Sequence, residues 1–217
     1  MKDILLYAAL AMGISLKENE LELFNKYYEE LLFWNRKINL VSIKSKSDIP
    51  IKHFIDSLTL LPYIKNTTSQ VLDIGAGAGF PGIPLKIAMN SLKVFLIESS
   101  RKKCSFLKHI IRRLNLRDVT VIYNRAENLT ADENFRGRFE VVTSRAAFKL
   151  SSFLQMGAPF LSPGGILIAM KGQKSDAEIA DASEICHDLG LNFVKSHDIN
   201  LPVRSEFRRI IIYEKTL

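Results

Sequence analysis

From Val71 onward the chain repeats one pattern, a short β-branched run followed by a longer amphipathic stretch. The runs are VLDI, KVFLIE, VTVIY, FEVVTSR and GGILIAMK, starting at Val71, Lys93, Val119, Phe139 and Gly164. Each interval can hold a strand, a turn, a helix and a second turn, which predicts βαβ units and a mostly parallel sheet covered by helices. A last run, FRRIIIYEK from Phe207, is expected to add an antiparallel strand at an edge.

The first 65 residues read as helices instead. In ENELELFNKYYEELLFW, the apolar positions Leu21, Phe24, Tyr28, Leu31 and Leu32 recur at helical spacing with charges between them. A further helix is expected in SKSDIPIKHFIDSLTLL, with Ser47 or Asp48 as its cap and Pro50 in its first turn. The opening MKDILLYAALAMGISL superficially resembles a secretory leader. Lys2 is cancelled by Asp3, however, and a docking helix is the preferred reading. The expected division is a helical extension over 1–66, packed on an α/β domain over 67–217. No run approaches the ~18 apolar residues of a membrane span, so no membrane association is expected. The two cysteines, Cys104 and Cys186, form no C-x-x-C pair, so neither a disulfide framework nor a metal site is expected, and a reduced, cytoplasmic setting is.

In an open α/β sheet the first strand-to-helix turn is the usual cofactor clamp. Here that turn is GAGAGFPGIP, with Gly75, Gly77 and Gly79 allowing close backbone approach to a ligand. A phosphate-binding P-loop is excluded, because the frame from Gly77 to Gly82 is followed by Ile83 and Pro84 where lysine and serine or threonine would stand. A dinucleotide fingerprint is literally present as Gly77, Gly79 and Gly82, with Glu98 further on as a ribose acid, and keeps an NAD-dependent oxidoreductase as an alternative. The frame that begins at Asp73 (acid, apolar, Gly, x, Gly, x, Gly) is instead the pattern of methyltransferases that bind S-adenosylmethionine.

The run VLDIGAGAGFPGIPLKIA, with WNRKINL and HFIDSL upstream and RAE, SRA and MKGQ downstream, resembles the bacterial family of small-subunit ribosomal RNA guanine-N7 methyltransferases, historically called glucose-inhibited division protein B. The resemblance runs from about Trp34 to Lys171, and GFPGIP is its most specific part. It implies a class I, Rossmann-like fold with a mostly parallel seven-stranded sheet, S-adenosylmethionine as cofactor, and 16S ribosomal RNA or the small ribosomal subunit as partner of a monomer. The loop amides from Gly75 to Phe80, near a helix start, suit the cofactor's carboxylate, while Asp73 orients the loop or meets the ammonium. Glu98, ending its strand, is placed to accept the ribose hydroxyls, with a cap or a surface acid as the other reading. The resemblance puts Ala126 and Glu127 at the adenine, although Glu127 also fits as a first-turn helix acid. Phe80 flanks the cofactor or packs the core.

At the end of the fourth run, Ser144 and Arg145 lie where methyl and acceptor should meet. Arginine offers a fork to a guanine edge, a phosphate or a carboxylate. The resemblance puts Arg145 in the cofactor pocket as the catalytic candidate; a structural ion pair with Asp73 or Glu140 is the alternative. His53, Asp56 and Ser57 have triad-like spacing, but no nucleophile elbow accompanies them. The resemblance puts His53 near the cofactor or acceptor; a satisfied, partly buried histidine is the other reading. No N-P-P-[YF] turn for amino-group methylation appears, and Cys104 sits in a segment expected to be helical, away from C5 chemistry. Guanine N7 has an exposed lone pair and no proton, so its methylation needs neither base nor covalent intermediate.

Net charge is +7, from 30 Lys and Arg against 23 Asp and Glu. Its distribution is more informative. Arg101, Lys102, Lys103, Lys108, Arg112, Arg113 and Arg117 fall in one segment without an acid. That face is expected to meet RNA phosphates, with Lys171, Arg204, Arg208 and Arg209 extending it. A non-catalytic RNA-binding factor, or a methyltransferase of another acceptor, would share this feature.

Overall fold

A computed structural model describes the whole chain apart from residues 44, 46, 47, 67, 68, 146, 173, 174, 204, 205 and 217. Helices α1 (Lys2–Ala11) and α2 (Glu18–Asn35) come first. A wide π-helical stretch, Ile49–Ile55, then runs into the short α3 (Asp56–Leu58). Pro50 does fall in the first turn, but Asp48 is not a side-chain cap, since its carboxylate accepts from the Ser45 amide at 2.7 Å. Ser47, the other expected cap, lies outside the described residues.

The α/β part follows in order: β1 (Gln70–Ile74), α4 (Gly82–Ala88), β2 (Lys93–Glu98), α5 (Arg101–Arg113), β3 (Val119–Tyr123), β4 (Phe139–Arg145), α6 (Leu150–Gly157), β5 (Leu161–Lys171), α7 (Asp176–Cys186), β6 (Leu191–Leu201) and β7 (Glu206–Lys215). The seven strands lie in the order β3-β2-β1-β4-β5-β7-β6. The first five are parallel, and β7 is antiparallel to both β5 and β6. The final run is therefore antiparallel as expected but not at an edge. Its place there is taken by β6, whose sequence LNFVKSHDINL is exposed over most of its length and lacks the apolar alternation that would have marked it.

Alternation along the strands divides the core. Val71, Ile168 and Met170 point to one face, where α1, α2, α4 and α5 pack, while Leu72, Leu167 and Ala169 point to the other, under α6 and α7. The buried side of α2 is Leu21, Phe24, Tyr27 and Leu31, so Tyr27 replaces the expected Tyr28, which is only half-buried. Tyr27 stacks on Phe80 at 5.5 Å and its hydroxyl donates to the Ala78 carbonyl, tying α2 to the glycine loop. Strand order reverses between β1 and β4, the switch point beyond whose carboxyl ends ligands collect.

Candidate functional site

The glycine loop leaves β1 at that switch point. Gly75 has φ +73°, and a Cβ there would lie 3.3 Å from both Ala147 and Phe148. Gly79, at φ +95°, is pressed so closely that a Cβ would stand 2.5 Å from Ile83 and 2.8 Å from the Tyr27 hydroxyl. The loop's amides are largely spent within the protein. Those of Gly75 and Ala76 donate to Ile97 O, those of Gly79 and Phe80 to Ala76 O, and that of Gly77 to Glu98 at 2.9 Å. Most amides of the expected carboxylate cradle are therefore engaged within the protein, because turning the chain this tightly uses the donors.

Asp73 is fully enclosed and accepts from the Gly82 amide at 2.9 Å, joining β1 to the start of α4. Burial pushes its carboxyl up to about 7, opposed by the Gly82 amide and Arg145. Glu98 ends β2 with one oxygen on Gly77 and the other on Ser100 N at 2.7 Å, so the loop and the start of α5 are held on one carboxylate. Beside it opens a cleft of about 180 Å³, whose walls include Gly75, Ser99, Asn124, Ala126, Glu127 and Phe148. Glu127 is exposed, and Ala126 starts a short 3₁₀ turn whose first amide has no intrahelical acceptor. Glu127 and Arg125 are the charged side chains among its walls, with Glu98 beside them and no lysine, a set suited to the hydroxyls and amino group of a nucleoside and not to a polyphosphate.

Phe80 does not line that cleft. It stacks between Tyr27 and His53, the latter at 5.0 Å, and carries Arg145 over its face at 4.9 Å. His53 and Arg145 belong to a second cavity, of about 450 Å³, whose walls also include Lys52, Asp56, Glu206 and Arg208. Arg145 pairs with neither Asp73 nor Glu140. Its Nη1 donates to Lys52 O at 2.9 Å and lies 3.4 Å from Asp56, whereas Glu140 accepts from Gln70 N. Arg208 Nε is 3.2 Å from the other oxygen of Asp56, and Lys52 is 2.6 Å from Glu206. His53 is not the satisfied histidine of the alternative reading, for both ring nitrogens are buried without a partner. Burial and the neighbouring cations push it down to about 3, so it stays neutral. Ser57 donates to the His53 carbonyl and not to its ring, so no triad forms.

A small gap of about 10 Å³, with Ser144, Phe148, Met170 and Lys171 in its walls, lies next to both cavities. Phe148 also borders the first cavity, and Met170 and Lys171 the second. Lys171 is not a free RNA contact, because its ammonium donates to Phe148 O at 2.5 Å and to Glu178 at 2.7 Å. Arg209 is held by Asp176 and Asp198, and Arg208 by Asp56 and Glu206, so neither extends a basic track. Arg204 lies outside the described residues. On α5, Arg101, Lys102, Lys108 and Arg112 are exposed, but Arg113 and His109 converge on Glu30 of α2 at 3.0 and 2.7 Å. The basic face is thus narrower than the sequence suggests. Asp56 and Arg208 were named from the sequence in other roles, a triad-like spacing and a basic track; what the sequence did not reveal is that Asp56 meets Arg145 and Arg208, which come from distant strands. Among the described residues no helix is long and apolar enough to cross a membrane.

The sheet order, the glycine turn closed by an acid at the end of β2, and the nucleoside-sized cleft define a class I methyltransferase that uses S-adenosylmethionine. Solved structures with this fold include M. jannaschii TYW2 in complex with AdoMet, 18% identical over 74% of each chain with a TM-score of 0.58. A precorrin-6y C5,15-methyltransferase from Geobacter metallireducens, 15% identical, matches 83% of this chain and 92% of its own with a TM-score of 0.55. The GidB family, described as rRNA small subunit methyltransferase G, matches residues 20–202, and the chain belongs to it. Relatives named ribosomal RNA small subunit methyltransferase G include one from Syntrophus aciditrophicus, 46% identical over 97% of this chain and 88% of its own length. Another, from Carboxydothermus hydrogenoformans, is 39% identical over 94% of this chain and 86% of its own.

Proposed function

We propose that this protein methylates N7 of a guanine in 16S ribosomal RNA, with the methyl donor in the cleft beside Glu98 and the acceptor base in the cavity beside His53 and Arg145. The observation that carries this reading is the nearness of the cleft and the larger, charged cavity, each of which shares wall residues with one small gap, the first through Phe148 and the second through Met170 and Lys171. When bound, S-adenosylmethionine supplies a methyl group on a sulfonium centre. Glu98 and Glu127 would hold its ribose and adenine ends, with Asp73 keeping the loop in register and Phe148 covering it. Guanine N7 would use its own lone pair and has no proton to lose, so no side chain would have to take one. That suits a cavity in which His53 is neutral and Arg145 is held by Lys52 O and Asp56. What the residues must do is position the base at near-attack distance, roughly 3–3.5 Å, and exclude water. Arg101, Lys102 and Arg112 on α5 hold the RNA by its phosphates.

Small subunits from cells lacking the modification, incubated with labelled donor and digested to nucleosides, should carry the label in 7-methylguanosine. Label in any other nucleoside rejects the acceptor assignment.

A further inference from the structure

Guanine can be methylated at N7 only if that nitrogen is left uncovered, so the protein has to hold the base by another edge. The opposite edge carries N1–H and the N2 amino group, all donors, and only an acceptor can meet them. Three acids line the second cavity. Glu206 is taken up by Lys52 at 2.6 Å and Arg208 at 3.0 Å, and Asp48 by the Ser45 amide at 2.7 Å. Asp56 differs. It sits one turn after His53, is 2% exposed, and makes one cationic contact per oxygen, at 3.2 Å to Arg208 and 3.4 Å to Arg145. Both contacts exceed the roughly 2.7–2.9 Å of a tight charge-assisted bond, and each oxygen keeps a further lone pair.

We infer that Asp56 is the specificity-determining carboxylate of the acceptor cavity, accepting N1–H and the N2 amino group of guanine and so turning N7 toward the gap. The inference rests on the guanine-N7 reading above. Adenine offers a lone pair at N1 and no N2 donor, so the same carboxylate repels it. Methylation at N7 also leaves positive charge on the base, and a carboxylate on that base binds the charged transition state better than the neutral ground state. Arg145 and Arg208 fix the carboxylate from outside and oppose the upward push of burial on its protonation.

The test compares guanosine with inosine, which lacks only the N2 amino group, at the methylated position of an otherwise identical RNA. Wild type should favour guanosine in kcat/KM by roughly 10-fold or more, the cost of one hydrogen bond to a charged acceptor. Asp56→Asn and Asp56→Ala should bring that preference to within about threefold. Should Asp56→Ala fail to fold, the near-isosteric Asp56→Asn carries the comparison alone, and calorimetric donor affinity reports whether each variant is intact. If Asp56 is only the counter-ion of two arginines, both variants slow transfer to guanosine and inosine equally, and an unchanged ratio overturns the inference. A wild-type enzyme indifferent to the N2 amino group overturns it too. Failure of the underlying reading is distinct, since then wild type produces no 7-methylguanosine.

Discussion

Asp73→Asn is predicted to change how stability depends on pH in the absence of donor. The native carboxyl is pushed up to about 7 from its ordinary 3.8, mainly by burial, with Glu98 adding to the shift. Because the native state then binds a proton that the unfolded state has released, stability falls as pH rises between those two values and levels off above the native one. Each unit costs about 1.4 kcal/mol, so between pH 5 and pH 8 the wild type should lose roughly 3 kcal/mol through this group. Asparagine does not titrate. Its oxygen can still accept from Gly82 N, and whatever its buried amide costs at the position of the unpartnered Oδ1 is the same at every pH. Urea unfolding of both proteins at pH 5, 6.5 and 8 should show the variant gaining on the wild type by roughly 3 kcal/mol across the range. A difference that stays constant to within about 1 kcal/mol would mean that Asp73 ionises freely in its enclosure, and the account of that pocket would be wrong.

Glu98→Ala should weaken donor binding by roughly 10- to 100-fold, because the loop loses its anchor at Gly77 and the ribose its acceptor, while RNA affinity measured without donor stays the same. Neutralising Arg101, Lys102 and Arg112 together should raise KM for RNA and flatten its salt dependence by about one unit per lost phosphate contact, with donor affinity intact; an unchanged slope removes α5 from the RNA surface. Lys86 is fully buried and donates to Asn90 O and Leu92 O, so Lys86→Met should lower stability by about 2–4 kcal/mol, read by urea unfolding. Gly79→Ala should cost about 2 kcal/mol or more, since its Cβ would meet Ile83 and the Tyr27 hydroxyl and force α2 away from the loop.

What the sequence made legible was the part whose chemistry is local. β1 through β5 declare themselves as β-branched runs, and Asp73, Gly75 and Glu98 stand close enough in the chain for one motif to contain them. β6 escaped because an exposed edge strand has no reason to alternate. The glycine loop was found, but how it spends its amides depends on Ile97 and Glu98 of the neighbouring strand. Arg145 was named without its partners, because Asp56 comes from a helix far upstream and Arg208 from β7. Charge runs misled most: Lys171, Arg113 and Arg209 look free in the sequence, and each meets a carboxylate supplied by another element.

The central claim is direct methylation of guanine at N7, and it is tested most directly by removing that atom. Small-subunit RNA transcribed with 7-deazaguanosine in place of guanosine keeps the N1 and N2 donors but has a carbon where the nucleophile should be. It should bind the enzyme with about the affinity of the normal transcript and accept no methyl group. Label entering the 7-deaza transcript at an undiminished rate would place the acceptor at another atom and contradict the account.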